Sequence, residues 1–153
     1  MTKIKYPQLF TIKPYEINTV YSAVGEIIEK SQMWEEEYRE CVRAFGVKMK
    51  DLHRKTLVKI NQKLRIRKII SQKEYEALNE VISLRNDINH VFFIKIMKNC
   101  RTEEDWDNIN SYLNTVITFI NEARDLVNNI LNQFNPNHIH VRNVFDDDTK
   151  ELE

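Results

Sequence analysis

Apolar residues recur along this chain with the 3.6-residue period of an α-helix, and this period predicts four helical segments. The predicted helices cover about residues 15–45, 47–69, 71–99 and 102–134. Gly46 predicts the end of the first helix, because glycine readily adopts the left-handed conformation that follows many helices. Ser71 and Glu74 have the spacing of a capping box at the start of the third. Long helices with short connections predict an all-α fold, an up-and-down four-helix bundle with a short C-terminal tail.

The end of the pattern divides the chain into two parts. Residues 1–136 form the predicted helical bundle, and Asn135 and Pro136 end its last helix. Residues 137–153 have no clear period, and we interpret them as a loose or partner-dependent tail. His138 and His140 lie in this tail without a third ligand, so they do not predict a metal site. The sequence predicts no metal and no cofactor.

Composition restricts the class of protein further. The 153 residues are enough for one domain, and the two glycines and three prolines favour helices over turn-rich folds. No stretch has the ~20 consecutive apolar residues of a membrane span, and the first 13 residues do not resemble a signal peptide. Cys41 and Cys100 lack metal-ligand spacing and are expected to be reduced thiols. These features predict a cytoplasmic protein.

Charge is balanced overall but uneven along the chain. The net charge is zero, yet residues 43–68 hold ten Lys or Arg and one acid, Asp51. The charges can simply balance acidic neighbouring helices, or they can form a surface that contacts the phosphates of a polyanion. Under the second interpretation the candidate RNA-binding residues are Arg54, Lys55, Lys59, Lys63, Arg65 and Arg67.

The third predicted helix carries the candidate chemistry. Within this apolar stretch, Arg85 and His90 are separated by four residues, and the polar Asn86 follows the arginine. At 100° per residue, Arg85 and Asn89 fall on the apolar arc, whereas Asn86 and His90 share the opposite face. Arg85 and His90 are about 140° apart, so one straight helix does not direct both at one phosphate. The structural alternative is that Arg85 pairs with a glutamate of the first helix and His90 is a surface histidine.

The run from Leu78 to Phe93 resembles the signature helix of the HEPN superfamily (higher eukaryotes and prokaryotes nucleotide-binding). The motif of that family is an arginine, four to six residues and a histidine, with Asn, Asp or His favoured directly after the arginine. Arg85, Asn86 and His90 occupy these positions. The resemblance covers residues 15–135 and implies a metal-independent endoribonuclease, typical of toxin–antitoxin, abortive-infection and CRISPR-linked systems. It also implies a homodimer in which two motifs form one composite site.

The chemistry of these residue types fits such a reaction. Histidine can act as an acid or a base near neutral pH, and arginine supplies fixed charge and a bidentate donor for phosphate oxygens. Asn86 is a candidate to orient His90 or to bind the phosphate. Cleavage without a metal would leave a 2′,3′-cyclic phosphate and a 5′-hydroxyl. Because one chain offers one such histidine, the motif predicts catalysis by two chains together.

Three hypotheses therefore follow from the sequence. The first is a homodimeric ribonuclease of the HEPN type, a toxin or phage-defence effector, with catalytic Arg85, Asn86 and His90. Its partners would be RNA and a separately encoded antitoxin protein, with no membrane. The second is a HEPN-like bundle that binds or assembles without catalysis, and the third is a helical adaptor in which the motif occurs by chance.

Overall fold

The fold is an all-α helical bundle, as the apolar period predicts. The computed structural model describes residues 14–93 and 97–134. Its helices are α1 (Pro14–Ala44), α2 (Leu57–Ile66), α3 (Gln72–His90) and α4 (Glu103–Phe134). Two short 3-10 turns, Leu52–Arg54 and Met97–Asn99, lie in the connections. The predicted tail, with His138 and His140, lies outside the described residues.

The two longest helices, α1 and α4, pack against each other along one core. Trp34 of α1 and Trp106 of α4 are almost completely buried in it. At the surface of this contact, Arg124 donates from Nε and Nη2 to the carboxylate of Glu37, with the shortest distance 2.7 Å. This hydrogen bonding raises the pKa of Arg124. A bidentate pair of this kind joins α1 and α4 in one relative position.

The ends of the helices follow the local signals of the sequence. Gly46 has φ +64°, the left-handed conformation predicted for the residue that ends α1. Ser71 and Glu74 form the complete capping box at the start of α3. At the start of α4, the hydroxyl of Thr102 accepts from the backbone N–H of Asp105, 3.1 Å away. The Asp105 carboxylate accepts from the N–H groups of Arg101 and Thr102, which lower its pKa.

The second helix is shorter than predicted at both ends, and the prediction was wrong for residues 67–69 as well as for residues 47–56. Residues 47–56 form a loop in which Asp51 is left-handed and Leu52 and Val47 are buried. The helix begins only after Thr56, whose hydroxyl accepts from the backbone N–H of Lys59. Val47 and Leu52 are buried against the bundle although they lie in a loop. Their contacts therefore do not require an α-helix at these positions.

The third helix also ends earlier than the predicted residue 99. The α-helix ends at His90, and the backbone widens to a π-helical turn at Phe92 and Phe93. Contacts of Arg85 with Glu35, and of Phe93 with Tyr21, show that α3 runs antiparallel to α1. The end of α3 therefore contacts α1 at two places, Glu35 and Tyr21. None of the helices in the described part of the chain is long and apolar enough to cross a membrane.

Candidate functional site

Arg85, Asn86 and His90 all lie in the last two turns of α3. Arg85 and Asn86 are half-buried, and His90 is exposed. Asn89, which the helical wheel places on the apolar arc, is exposed as well, so that part of the prediction was wrong. Packing is the reason: α3 turns Ile88, 2% exposed, into the core, and Asn89, the next residue around the helix, falls outside this contact.

The guanidinium of Arg85 is tied to the first helix. Its Nη2 forms an ion pair with Glu35 of α1, and the exposed fractions of the two side chains are 17% and 24%. Burial lowers the pKa of Arg85. Its Nε is buried and has no hydrogen-bond partner among the described residues. Arg85 therefore makes the pair with a first-helix glutamate that the structural alternative predicts.

Asn86 links Arg85 to a surface groove. Arg85 donates from Nη1 to Oδ1 of Asn86, at 3.0 Å. The Oδ1 atom of Asn86 accepts this bond, and the two N–H groups of its Nδ2 can donate to other partners. Asn86 lines a groove of about 290 Å³ between α2 and α3. The other residues of the groove are Val58, Asn79, Ile82, Ser83 and Asp87.

His90 is the last residue of α3, one turn after Asn86. Three residues further on, the ring of Phe93 stacks on Tyr21 of α1, with a centroid distance of 5.7 Å. Both rings are nearly half exposed, at 44% for Phe93 and 49% for Tyr21. The end of α3 thus places an imidazole beside an exposed aromatic pair. Exposed aromatic side chains that lie together are typical of protein–protein contact surfaces.

A buried network of hydrogen bonds that leads to the groove was not predicted from the sequence. Asn61 of α2 is completely buried, and its Oδ1 accepts from the hydroxyl of Tyr38 at 3.1 Å. Its Nδ2 donates to the Tyr75 carbonyl and, at 3.0 Å, to Oδ1 of Asn79 in the groove. The signal in the sequence is an asparagine one residue after Ile60 on the apolar side of a short helix. Its partners depend on the packing and cannot be identified from spacing.

The basic residues predicted to bind RNA lie along α2 and the turn before it. Arg54, Lys59, Arg65 and Arg67 are exposed, whereas Lys55 and Lys63 are half-buried. Arg65 stands apart, because its guanidinium lies 4.7 Å from the centroid of the Tyr75 ring and donates to Gln72. At the start of the basic segment, Arg43 is buried and pairs with Glu36 and Glu40. Part of the positive charge therefore balances α1, and the rest remains at the surface.

No group of three or more His, Cys, Asp or Glu side chains that could hold a metal ion occurs among residues 14–93 and 97–134. Comparison with family models, with curated proteins and with solved structures gave no match for this chain.

Proposed function

We propose that this protein is a metal-independent endoribonuclease of the HEPN type, acting as a toxin or phage-defence effector. The observation that carries the proposal is the arrangement at the end of α3. His90 is exposed there, and Asn86 lies one turn before it with its amide donors directed away from Arg85. An accessible imidazole beside amide and guanidinium donors suits the transfer of protons at a phosphate.

In the proposed reaction, the ribose 2′-oxygen attacks the neighbouring phosphorus and the bond from phosphorus to the 5′-oxygen breaks. One His90 accepts the proton of the 2′-hydroxyl, and a second His90 donates a proton to the departing 5′-oxygen. Arg85 supplies positive charge to the phosphorane, for which its guanidinium must exchange Glu35 for a phosphate oxygen. The products are a 2′,3′-cyclic phosphate and a 5′-hydroxyl.

The two histidines come from two copies of the chain, so the proposal includes a homodimer. The exposed pair of Tyr21 and Phe93 supports this arrangement, because it lies three residues from His90 and offers apolar surface for a second copy. A two-fold axis near this pair would bring both His90 side chains to one substrate. The exposed basic residues of α2 would bind the RNA backbone. An antitoxin encoded separately is the further partner expected for such a toxin.

One observation favours a second function, a HEPN-like module that binds or assembles without catalysis. Arg85 is held by Glu35 and is half-buried, as a structural arginine would be. If this pair is permanent, the arginine of the motif joins α3 to α1 and the phosphate has no guanidinium partner.

A cleavage assay in EDTA distinguishes the two functions. Purified wild-type protein is incubated with several structured and unstructured RNAs, and the ends of the products are mapped. We expect cleavage that leaves a 2′,3′-cyclic phosphate, with a loss of at least 100-fold in the His90→Ala variant, the usual contribution of a general acid or base. His53→Ala is the matched control, since His53 is exposed in the turn before α2.

The outcome is informative in either direction. Cleavage that is lost in His90→Ala and retained in His53→Ala supports the ribonuclease. If the wild type cleaves none of the RNAs and its expression does not slow growth, the non-catalytic function is favoured. Cleavage equal in the wild type and the His90→Ala variant points to a contaminating nuclease and contradicts the proposal.

A further inference from the structure

The groove between α2 and α3 has a chemical character of its own. Its α2 wall is the apolar Val58, 38% exposed, and Ile82 lies on the α3 side. Four polar residues complete it: Asn79, Ser83, Asn86 and Asp87. An apolar side chain on one side with polar groups beside it suits a planar heterocycle. The volume of about 290 Å³ is at the small end of ligand sites and suits a single base.

The hydrogen bonds behind the groove determine which groups it offers. Asn61 donates to Oδ1 of Asn79, and Arg85 donates to Oδ1 of Asn86. Both amide oxygens therefore already accept a hydrogen bond inside the protein, and the Nδ2 groups of both amides can serve as donors. The carboxylate of Asp87, by contrast, only accepts. The groove thus combines two amide donors with one charged acceptor.

This combination selects among the four bases. A carboxylate can accept two parallel hydrogen bonds from the N1–H and N2–H groups of guanine. The neighbouring guanine O6 accepts, and so can bind an amide N–H. On the Watson–Crick edge, adenine, cytosine and uracil each have only one donor group from which a carboxylate can accept. We infer that the groove binds a guanine base of the RNA, with Asp87 on its Watson–Crick edge and Asn86 or Asn79 at O6.

The groove includes Asn86, which lies close to the candidate catalytic residue His90. The link from the groove to cleavage rests on the proposed function. Asn86 lies one helical turn before His90, about 6 Å along the axis. A base in the groove therefore belongs to a nucleotide next to the phosphate at His90. Lys59 follows Val58 and Lys55 lies three residues before it, so both can contact the phosphates on that side. The inferred result is cleavage beside a guanosine.

Binding of mononucleotides tests the groove without any need for cleavage. ¹⁵N-labelled protein is titrated with GMP, IMP, AMP, CMP and UMP, and the side-chain amide resonances of Asn79 and Asn86 are followed by NMR. All five carry the same phosphate, and IMP differs from GMP only in lacking the 2-amino group. We expect GMP to shift both resonances and IMP to bind about tenfold more weakly, the usual effect of one lost hydrogen bond to a charged group.

Two variants with the same change of charge complete the test. Asp87→Asn is expected to abolish the difference between GMP and IMP. Asp125→Asn, at an exposed position of α4 that is not part of the groove, is expected to retain it. Equal shifts with all five nucleotides, or none at Asn79 and Asn86, would overturn the guanine site.

The failure of this inference can be separated from failure of the ribonuclease. Cleavage that needs His90 but shows no preference for guanosine overturns the guanine site and leaves the ribonuclease intact. Selective binding of GMP at the groove without any cleavage of RNA supports the site and contradicts the ribonuclease.

Discussion

Arg85 on α3 forms an ion pair with Glu35 on α1, and this pair holds the cation of the candidate site away from solvent. The same guanidinium donates to Asn86, so one side chain joins α3 to α1 and contacts a residue of the groove. A structural role and a catalytic role for Arg85 therefore depend on the same bond. The variant Glu35→Gln distinguishes the structural role from the catalytic one.

Replacement Glu35→Gln removes the charge of the partner and retains its shape. We expect the free energy of unfolding to fall by about 1–2 kcal/mol, because the two side chains are only 17% and 24% exposed and Arg85 loses a charged acceptor. If Arg85 acts on phosphate, the released guanidinium also raises the rate of RNA cleavage. Urea unfolding and the EDTA assay measure the two effects. Glu29→Gln, at an exposed position of α1, is the control and should change neither.

His90→Ala is expected to leave stability within about 0.5 kcal/mol of the wild type, because the side chain is exposed at the end of α3. Ile88→Ala, two residues earlier, removes a side chain that is 2% exposed and should cost about 2–4 kcal/mol. Urea unfolding of both variants checks the contrast. A large loss of stability in His90→Ala would mean that the imidazole is a structural group, and its effect on cleavage would then need no catalytic explanation.

The hydrogen bond between Tyr38 and Asn61 predicts an energetic coupling across the core. Tyr38→Phe should cost about 1 kcal/mol, because it leaves one acceptor of a buried amide without its donor. Asn61→Ala should cost about 2–4 kcal/mol, since it leaves the Tyr38 hydroxyl and Asn79 without a partner and creates a cavity. A double-mutant cycle by urea unfolding measures the coupling, expected at about 1 kcal/mol. Purely additive costs would contradict the bond.

The two thiols are expected to be unreactive in the folded protein. Both are buried, which raises the pKa of Cys41 to about 12 and the pKa of Cys100 to about 11. Ellman's reagent at pH 8 should modify them slowly in buffer and rapidly in urea, because the thiolate is the reactive species. Rapid modification of either thiol in the native protein would contradict its burial.

The same shifts predict how stability changes at alkaline pH. A thiol in the unfolded chain has a pKa of about 8.5, below both values in the folded protein, so the folded state binds more protons above that pH. The contribution of the thiols is therefore complete below pH 8.5 and is lost as the pH rises toward 11–12. Urea unfolding at pH 8 and pH 10 measures the loss. The Cys41→Ala variant should show a smaller dependence on pH than the wild type.

The exposed aromatic pair predicts where a second copy binds. Phe93→Glu places a charge in the stack with Tyr21 and should convert a dimer to a monomer and abolish cleavage. Met33→Glu introduces the same charge at an exposed apolar position about 18 Å further along α1 and should change neither. Sedimentation of the wild type and both variants checks the oligomeric state. A wild type that is strictly monomeric, or a Phe93→Glu variant that remains a dimer, contradicts this interface.

The class of the fold and most helix ends follow from local signals in the sequence. Gly46, the pair Ser71 and Glu74, and Thr102 each act on backbone groups within a few residues, so their effect does not depend on distant packing. The buried stripe of the long helices also follows from local periodicity. Thr56 is a residue type that commonly caps the start of a helix, and it indicates the start of α2. The apolar residues of the preceding loop also fit a helical period, and they favour an earlier start.

The groups that meet around α3, by contrast, are set by the packing of the helices. Glu35 is one of three consecutive glutamates, and the rotation of α1 against α3 selects it as the partner of Arg85. Asn89 and His90 are both exposed, although the wheel assigns the two residues to opposite faces. The groove brings Val58 of α2 beside Asn86 of α3, and hydrogen bonds from Asn61 and Arg85 reach its two amides. Such relationships join residues far apart in sequence, and they depend on how whole helices pack rather than on the spacing within one.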